Sequence, residues 1–435
     1  MRCASPVGPL CPPGAILCGM ARVAVPAVLR DEPQYRLLFG SQVLSVLGDR
    51  VTSVVLPFAV LSVGGGVREV ALVSAAQFLP FAVLALPAGV WADGHDRKRV
   101  LITSDVVRLV TQLTAGVLLL TDRASVPQLA VLAGVYGAAD AFFAPAFTGL
   151  LPSTVTPLNL QPANALRGLT YSLGAIAGPL LAGLLIAFAG GVGVALLFDA
   201  ATFVVSVALL APLRPRVVRE VMAEEDPVAT TRHFWTSLSE GWAEVRGRSW
   251  LLAFLGAMAV YHAVVLPAVF VVGPVIATDE MAGARSWAIV TAGFGAGCVL
   301  GDLLFLRWRP DHALRVASLM LVGASCQAAF IGSGLGEWGI AALEVAAGVC
   351  VTGSFTLWET SLQEHVPDRA LSRVSSYDYL ATAGMIPLGN LLVGLAAATY
   401  GVHPSLVGMT VVGLVVSIGV ASLPSVRRLP RGVTG

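Results

Sequence analysis

Apolar runs of about twenty residues, each long enough to cross a hydrocarbon core of about 30 Å, recur twelve times along the chain. They cover residues 37–62, 70–91, 100–120, 127–150, 165–189, 192–212, 250–276, 286–306, 313–333, 337–360, 373–398 and 403–424. Turn-forming stretches punctuate them, among them VGGG at 63–66, TDRASVP at 121–127, AGGVG at 189–193 and YGVHP at 400–404. The pattern predicts an all-α membrane protein with twelve transmembrane helices. One long polar stretch, 213–249, divides the runs six and six. Within it FWTSLSEGWAEV spaces Phe234, Leu238 and Trp242 four apart, which predicts an amphipathic helix lying on the membrane surface.

The two sextets repeat one another. VVLPFAV at 54–60 recurs as VVLPAVF at 264–270, and GPLLAGL at 178–184 recurs as GNLLVGL at 389–395. Gly89 and Arg97 correspond to Gly301 and Arg309, and Thr148 and Leu150 to Thr360 and Leu362. Matching positions are six spans apart. An even number gives both halves the same orientation, so the expected fold is two six-helix bundles in a parallel repeat about an axis along the membrane normal.

Composition agrees with lipid as the solvent. The 435 residues are 56% hydrophobic and 12% charged, where soluble domains average about 45–50% and about 25%. The net charge of +1 gives no general attraction to nucleic acid. Orientation follows from the basic residues. With the N-terminus inside, 22 of the 27 face the cytoplasm, and only Arg68, Arg123 and Arg285 face outward; Arg50 and Arg108 lie within spans. Both termini are therefore expected in the cytoplasm, in a multi-pass protein of the cell membrane. The expected organisation is a disordered cytoplasmic N-terminus (1–35), a first bundle (36–212), a cytoplasmic central loop with its amphipathic helix (213–249), a second bundle (250–424) and a cytoplasmic tail (425–435).

Enzyme and cofactor signals are missing. No phosphate loop of the G-x-x-x-x-G-K type occurs, so ATP is not the expected driving force. Cys3, Cys11 and Cys18 fit no zinc spacing, and Cys298, Cys326 and Cys350 lie within apolar runs as small hydrophobes. His95 stands between Asp93 and Asp96, but Arg97, Lys98 and Arg99 argue against a metal there. Neither a metal nor a cofactor is expected.

The densest charge in the chain is GVWADGHDRKRVL at 89–101. A loop obeying the positive-inside rule explains its bases, but not the mixture with acids or Gly89 four residues before Asp93. The pattern resembles the signature of the major facilitator superfamily between helices 2 and 3, roughly G-x-L-A-D-R-x-G-R-K. Gly89, Ala92, Asp93, Arg97 and Lys98 are in register, while Trp91, Gly94 and Asp96 depart from it. Asp96 is similar to the branch of enterobactin-exporter-like and macrolide-efflux-like carriers. SVLGDRVTSVVLP at 45–57, FFAPAFTGLLP at 142–152, LFDAATF at 197–203 and WETSLQEHVPDRALSRVSSYDYL at 358–380 resemble that branch too.

The resemblance implies the major facilitator fold and a cytoplasmic gate motif of Gly89, Asp93, Asp96, Arg97 and Lys98. Asp93 would meet the positive N-terminal end of the eleventh helix when that side is shut. GAIAGPLLAG at 174–183 resembles the antiporter motif of drug-exporting members, with Gly174, Gly178, Pro179 and Gly183 in place and Ala182 departing. Its small residues equally suit plain close packing.

A charge at mid-bilayer costs roughly 2.5–3.5 kcal/mol on insertion scales, so ionisable groups inside spans are the candidates for coupling. Gln42, Ser45, Asp49 and Ser53 share one face of the first span; Tyr136 and Asp140 lie one turn apart on the fourth; Glu344, Thr352 and Thr356 share a face of the tenth. The family resemblance places helices 1, 4, 7 and 10 around the central cavity. Asp49, Asp140 and Glu344 are thus the proton-site candidates, and Gln42, Ser45, Ser53, Tyr136, His262, Thr352 and Thr356 the cavity-lining ones. Asp49 equally suits a structural pair with Arg50 or Arg108, and Asp105 with Arg108 reads as a local ion pair. The helix-4 arginine of many drug antiporters is absent from GVYGAADAFFA, so their coupling scheme does not transfer.

The expected activity is secondary active export of a small amphipathic organic compound (a drug, siderophore or secondary metabolite) by proton antiport and alternating access. The expected partners are that compound, protons and the lipid bilayer, with the chain monomeric. Two alternatives stand beside it: a proton-coupled importer of the same fold, and a non-transporting receptor or assembly partner.

Overall fold

In a computed structural model the structure describes residues 27–93, 95–216 and 241–430. The described residues contain no strand and twelve helices long and apolar enough to cross a membrane. In chain order these are α1 (Pro33–Ser62), α2 (Val67–Asp93), α3 (Arg97–Leu120), α4 (Val126–Leu150), α5 (Leu160–Phe188), α6 (Val192–Leu210), α7 (Ser249–Glu280), α8 (Ala284–Arg307), α9 (Ala313–Ile331), α10 (Glu337–His365), α11 (Val374–Tyr400) and α12 (Val402–Ser422).

Local chemistry sets several of their ends and bends. Asp96 caps α3 by accepting from the Lys98 and Arg99 amides, and Ser125 with Gln128 forms a capping box on α4. Inside α7, two π-helical turns, Tyr261–Val265 and Ala268–Val272, flank Pro267, which cannot donate to the helical ladder. The helix that becomes α11 begins at Asp368, breaks through a 3₁₀ turn at Ala383–Met385 and resumes at Ile386, one residue before Pro387.

The packing obeys a two-fold repeat. In the first half α2 packs on α4, α3 on α4 and α6, and α1 on α5 and α6; in the second α8 packs on α10, and α9 on α10 and α12. The halves meet through α2 with α11 and through α5 with α8, pairs that exchange when each helix is advanced by six. Small residues make both contacts. A Cβ on Gly394 of α11 would fall 2.0 Å from Ala71 Cβ of α2, and one on Gly183 of α5 would fall 2.6 Å from Ala288 Cβ of α8.

The chain enters α1 and leaves α12 at the same end, here the terminal end. At the opposite, far end a single apolar cluster spans both halves, with Val55, Val60, Val73 and Ala182 packed together with Val271, Ile276, Trp287 and Ile331. At the terminal end each half has its own cluster: Leu38, Leu101, Phe147 and Leu210 in the first, Leu251, Phe254, Leu314 and Trp358 in the second. The two bundles are thus sealed together at the far end, and among the described residues no apolar cluster joins them at the terminal end.

Helix is already present at Ala27–Asp31, within the segment expected to be disordered up to residue 35. The physical reason is Glu32. Its carboxylate accepts from the Thr156 amide (2.8 Å) and hydroxyl (2.7 Å) and from Asn159 (3.0 Å), and pairs with Arg216 (3.0 Å). Tyr35, fully buried, donates to the Ala163 carbonyl at 2.8 Å. Residues 1–26, and 217–240 with Phe234 and Leu238 of the expected amphipathic helix, lie outside the described residues. Residues 241–247 are helical, with Trp242 against the Tyr377 ring at 5.6 Å.

Candidate functional site

Arg108 on α3 is the centre of a charge cluster inside the first bundle. It is fully buried, which a guanidinium tolerates only when paired and hydrogen-bonded. Its partners are Asp105 at 2.5 Å, Asp140 of α4 at 3.2 Å and Asp49 of α1 at 3.3 Å. The rings of Phe143 and Phe203 lie 4.5 and 4.6 Å from its guanidinium carbon, adding cation–π attraction to the buried cation. Ser206 donates to Asp105 at 2.5 Å, and the Tyr136 hydroxyl donates to Asp49.

The cluster is layered. The Arg108 and Asp105 side chains have no exposure, whereas those of Asp49 and Asp140 are 32% and 35% exposed. The inner pair is enclosed, and the outer two acids reach accessible space. Beneath them Asp199 of α6 accepts from Thr52 (2.6 Å) and Gln112 (2.5 Å), tying α1, α3 and α6 together.

The second bundle has a different arrangement. Glu344 of α10 is 2% exposed and accepts from Gln327 of α9 at 2.8 Å, and Gln327 accepts from the Tyr261 hydroxyl of α7 at 3.0 Å. The other carboxyl oxygen of Glu344 is buried without a hydrogen-bond partner. His262, 6% exposed, meets the Met258 carbonyl at 2.8 Å and lies edge-on to Phe355.

The expected cavity stripe on α1 divides. Asp49 and Ser53 are partly exposed, but Gln42 and Ser45 are fully buried with no hydrogen-bond partner for their side chains. They face the interior of their own bundle and line no open space; spacing gave the right face, but its lower part is covered by packed helices. Glu344 is likewise enclosed among α7, α9 and α10. Tyr136 is buried behind Asp49, Thr352 is half-buried and Thr356 is exposed.

In the charge knot, Arg97 donates to the Gly149 carbonyl at 2.9 Å and Lys98 to the Ala211 carbonyl at 2.7 Å. Both cations thus serve carbonyls at the ends of α4 and α6, where the helix dipole is negative. Asp96 also pairs with Arg99 at 3.4 Å. These described contacts all lie within the first bundle. Gly89 and Asp93 sit on the last turns of α2, and the Asp93 side chain, with its expected link to the eleventh helix, lies outside the described residues. At the equivalent place in the second half, Phe305 is buried against Trp308.

In the GAIAGPLLAG stretch, a Cβ on Gly178 would fall 2.3 Å from Arg50 Cβ, and one on Gly174 would fall 3.2 Å from Val46. Gly174 and Gly178 therefore let α5 lie directly on α1, with Pro179 buried beside them, while Gly183 faces the other bundle. The second-half match holds: Gly389 lies against the Ala263 backbone of α7 as Gly178 does against α1. Phe143, Phe203, Gln327 and Glu32 take part in the contacts above without being among the candidates that the sequence singles out. Gln327, an amide alone in an apolar run, carried a signal; the two rings carried none, since aromatic residues within spans are ordinary.

Twelve spanning helices in two like-oriented bundles, with acids held inside, define a multi-pass membrane transporter. The chain belongs to the Major Facilitator Superfamily, whose family profile matches residues 38–390. It is 26% identical over 408 residues to the multidrug efflux pump Tap of Mycolicibacterium fortuitum, covering 88% of this chain and 93% of that one. It is 25% identical to the enterobactin exporter EntS of Escherichia coli O6:K15:H31 (strain 536), covering 94% and 97%, and 22% identical to the macrolide efflux protein A of Streptococcus pyogenes, covering 85% and 91%. Among solved structures, the fold is similar to a bacterial homologue of the iron transporter ferroportin in an inward-facing state (TM-score 0.67, 19% identity, 90% and 99% covered). It is also similar to the peptide transporter POT (TM-score 0.71, 10% identity, 92% and 96% covered).

Proposed function

We propose that this transporter exports a small amphipathic organic compound from the cytoplasm across the cell membrane by proton antiport. The observation that carries the reading is the ratio of charges around Arg108: three carboxyls, Asp49, Asp105 and Asp140, against one guanidinium. With all three ionised, the cluster would hold two uncompensated negative charges where uncompensated charge is costly. Proton uptake removes that surplus. Asp49 and Asp140 are the two that reach accessible space, so protons exchange there while Asp105 keeps Arg108 fixed. Tyr136 orients Asp49 through its hydroxyl.

The direction rests on the efflux relatives and on the glycine-rich α5. With most basic residues at the terminal end, that end is cytoplasmic, and the conformation sealed at the far end is the one that loads compound from inside. Alternating access then requires the Gly183–Ala288 and Gly394–Ala71 contacts to part and the terminal end to close. Compounds resembling those in the relatives' names, a macrolide and enterobactin, are the first to try, with ethidium as a generic amphipathic cation.

The test is flux into inverted vesicles energised by a pH gradient, with ethidium, a macrolide and enterobactin as probes. Uphill uptake of one of them, collapsed by dissipating the gradient and lost in Asp49→Asn, is the expected result. Gradient-driven uptake only in right-side-out vesicles would reverse the direction. Uptake in Asp49→Asn equal to wild type would remove the coupling assignment.

A further inference from the structure

At the terminal end, away from the charge cluster, a cavity of about 360 Å³ is lined by His312, Arg315, Ser422, Pro424, Arg427 and Arg428. Three arginines and a histidine converge on it, with no acid among the lining residues. None of the three arginines makes an ion pair within 4.0 Å among the described residues. The first turn of α9 adds to the field. His312 precedes that helix without a side-chain cap, so unpaired amides and the positive dipole end face the same region. The walls are fixed in place: Val426 is fully buried, and the Leu429 and Pro430 carbonyls meet His312 at 3.1 Å and His365 at 2.9 Å.

What lies below the cavity identifies its occupant. Arg315 and Leu319 share a face of α9 one turn apart, and Leu319 is 53% exposed. On the neighbouring α12, Ser422 shares a face with Ile418 and Val415, which are 53% and 66% exposed. A cationic cup therefore stands at the membrane boundary directly over a bare apolar surface between two spanning helices. A phosphate group fits the cup, and acyl chains fit the surface beneath it; a free phosphate uses only the upper half.

We propose that Arg315, Arg427 and Arg428, with His312, form a binding site for the phosphate headgroup of an anionic phospholipid whose chains run along α9 and α12. Each basic residue near the headgroup adds roughly a fivefold factor, since the contribution is about 1 kcal/mol per cation. By holding the turn after α12 against the start of α9, the lipid would brace the terminal end of the second bundle, a role separate from proton exchange at Asp49.

The experiment is native mass spectrometry and thermal unfolding of the purified full chain in detergent, titrated with phosphatidylglycerol, phosphatidylcholine or glycerol 3-phosphate. Phosphatidylglycerol should bind and raise the unfolding midpoint, with much weaker binding of phosphatidylcholine and of glycerol 3-phosphate. The triple variant Arg315→Gln, Arg427→Gln, Arg428→Gln should lose about a hundredfold in affinity for phosphatidylglycerol. The corresponding triple Lys variant should keep most of it, and so should Arg307→Gln with Arg309→Gln, which removes charge from the same end outside the cup. Unchanged binding in the Gln triple variant, or equal binding of phosphatidylcholine, would overturn the site. Glycerol 3-phosphate binding as tightly as the lipid would overturn the lipid as its source. Binding is read without flux, so failure here leaves the transport reading standing, and the reverse.

Discussion

Gly183 and Ala288 face each other across the two bundles so closely that a methyl group on Gly183 would fall 2.6 Å from that of Ala288. The contact lies at the sealed end, beside Ala182 and Ala284 of the shared apolar cluster. A disulfide needs Cβ atoms about 3.5–4.5 Å apart, so once the two helices yield by about 1 Å, Gly183→Cys with Ala288→Cys should cross-link under mild oxidation. Flux should fall to background in the oxidised protein and return with dithiothreitol. Full flux in a protein shown by mass spectrometry to be cross-linked would mean that the far end does not open here.

The layered cluster separates stability from coupling. Arg108→Gln leaves Asp105 buried without its cation, a loss of about 3–5 kcal/mol by analogy with other broken buried pairs. Its unfolding midpoint in detergent should drop strongly. Asp49→Asn should leave the midpoint close to wild type, because Asp49 is partly exposed and Arg108 keeps Asp105 and Asp140. A midpoint drop in Asp49→Asn as large as in Arg108→Gln would show that the outer acid is also structural.

In the second bundle, Gln327 bridges Tyr261 and Glu344. Gln327→Leu strands both and should cost about 1–3 kcal/mol for each, the usual range for leaving a buried polar group unpartnered. Glu344→Gln keeps an acceptor for Gln327 and removes an ionisable group from a site holding no cation partner among the described residues. Thermal unfolding should rank Gln327→Leu below wild type and Glu344→Gln at or above it. The opposite order would mean that Glu344 is held by a charge interaction.

Acid should loosen the tie at the start of α1. Burial alone raises the Glu32 carboxyl, but hydrogen bonds from Thr156 and Asn159 and the Arg216 guanidinium outweigh it and lower the group from 4.5 to about 2. A carboxyl lowered on folding stabilises the folded state fully above its unfolded value, and that contribution disappears as pH falls through the folded value. The stabilisation is thus present above about 4.5 and lost on the way down to about 2. Stability followed from pH 6 downward should decline less steeply in Glu32→Gln than in wild type. Parallel declines would exclude Glu32 as a source of acid sensitivity.

Much of this architecture is legible in the amino-acid sequence. Length alone exposes a spanning helix, because no soluble core needs twenty apolar residues in a row, and repeated short strings such as GPLLAGL and GNLLVGL register the halves. The Asp105–Arg108 pair was readable because three residues along a helix are neighbours by geometry. Periodicity gives a residue's face and leaves open which helix covers that face. For that reason Gln42 and Ser45, on the same stripe as Asp49, were expected beside open space and are fully enclosed. The approach of Asp140 to Arg108 depends on how α3 and α4 cross, and the link from Gln327 to Glu344 on how α9 meets α10. Neither crossing is written in the spacing of a single helix.

The two π-helical turns of α7 have a mechanical consequence. Each holds one residue more than an α turn, and one residue corresponds to a rotation of about 100° about the helix axis. Tightening one turn, or passing the extra residue along the helix, would swivel Tyr261 and His262 relative to the segment beyond Pro267 without unwinding α7. Spin labels on either side of Pro267 should report such a turn between conditions with and without a pH gradient, and a constant separation would mean that the helix moves as a rigid rod. Such a swivel would let one half re-aim its interior while its outer end stays anchored.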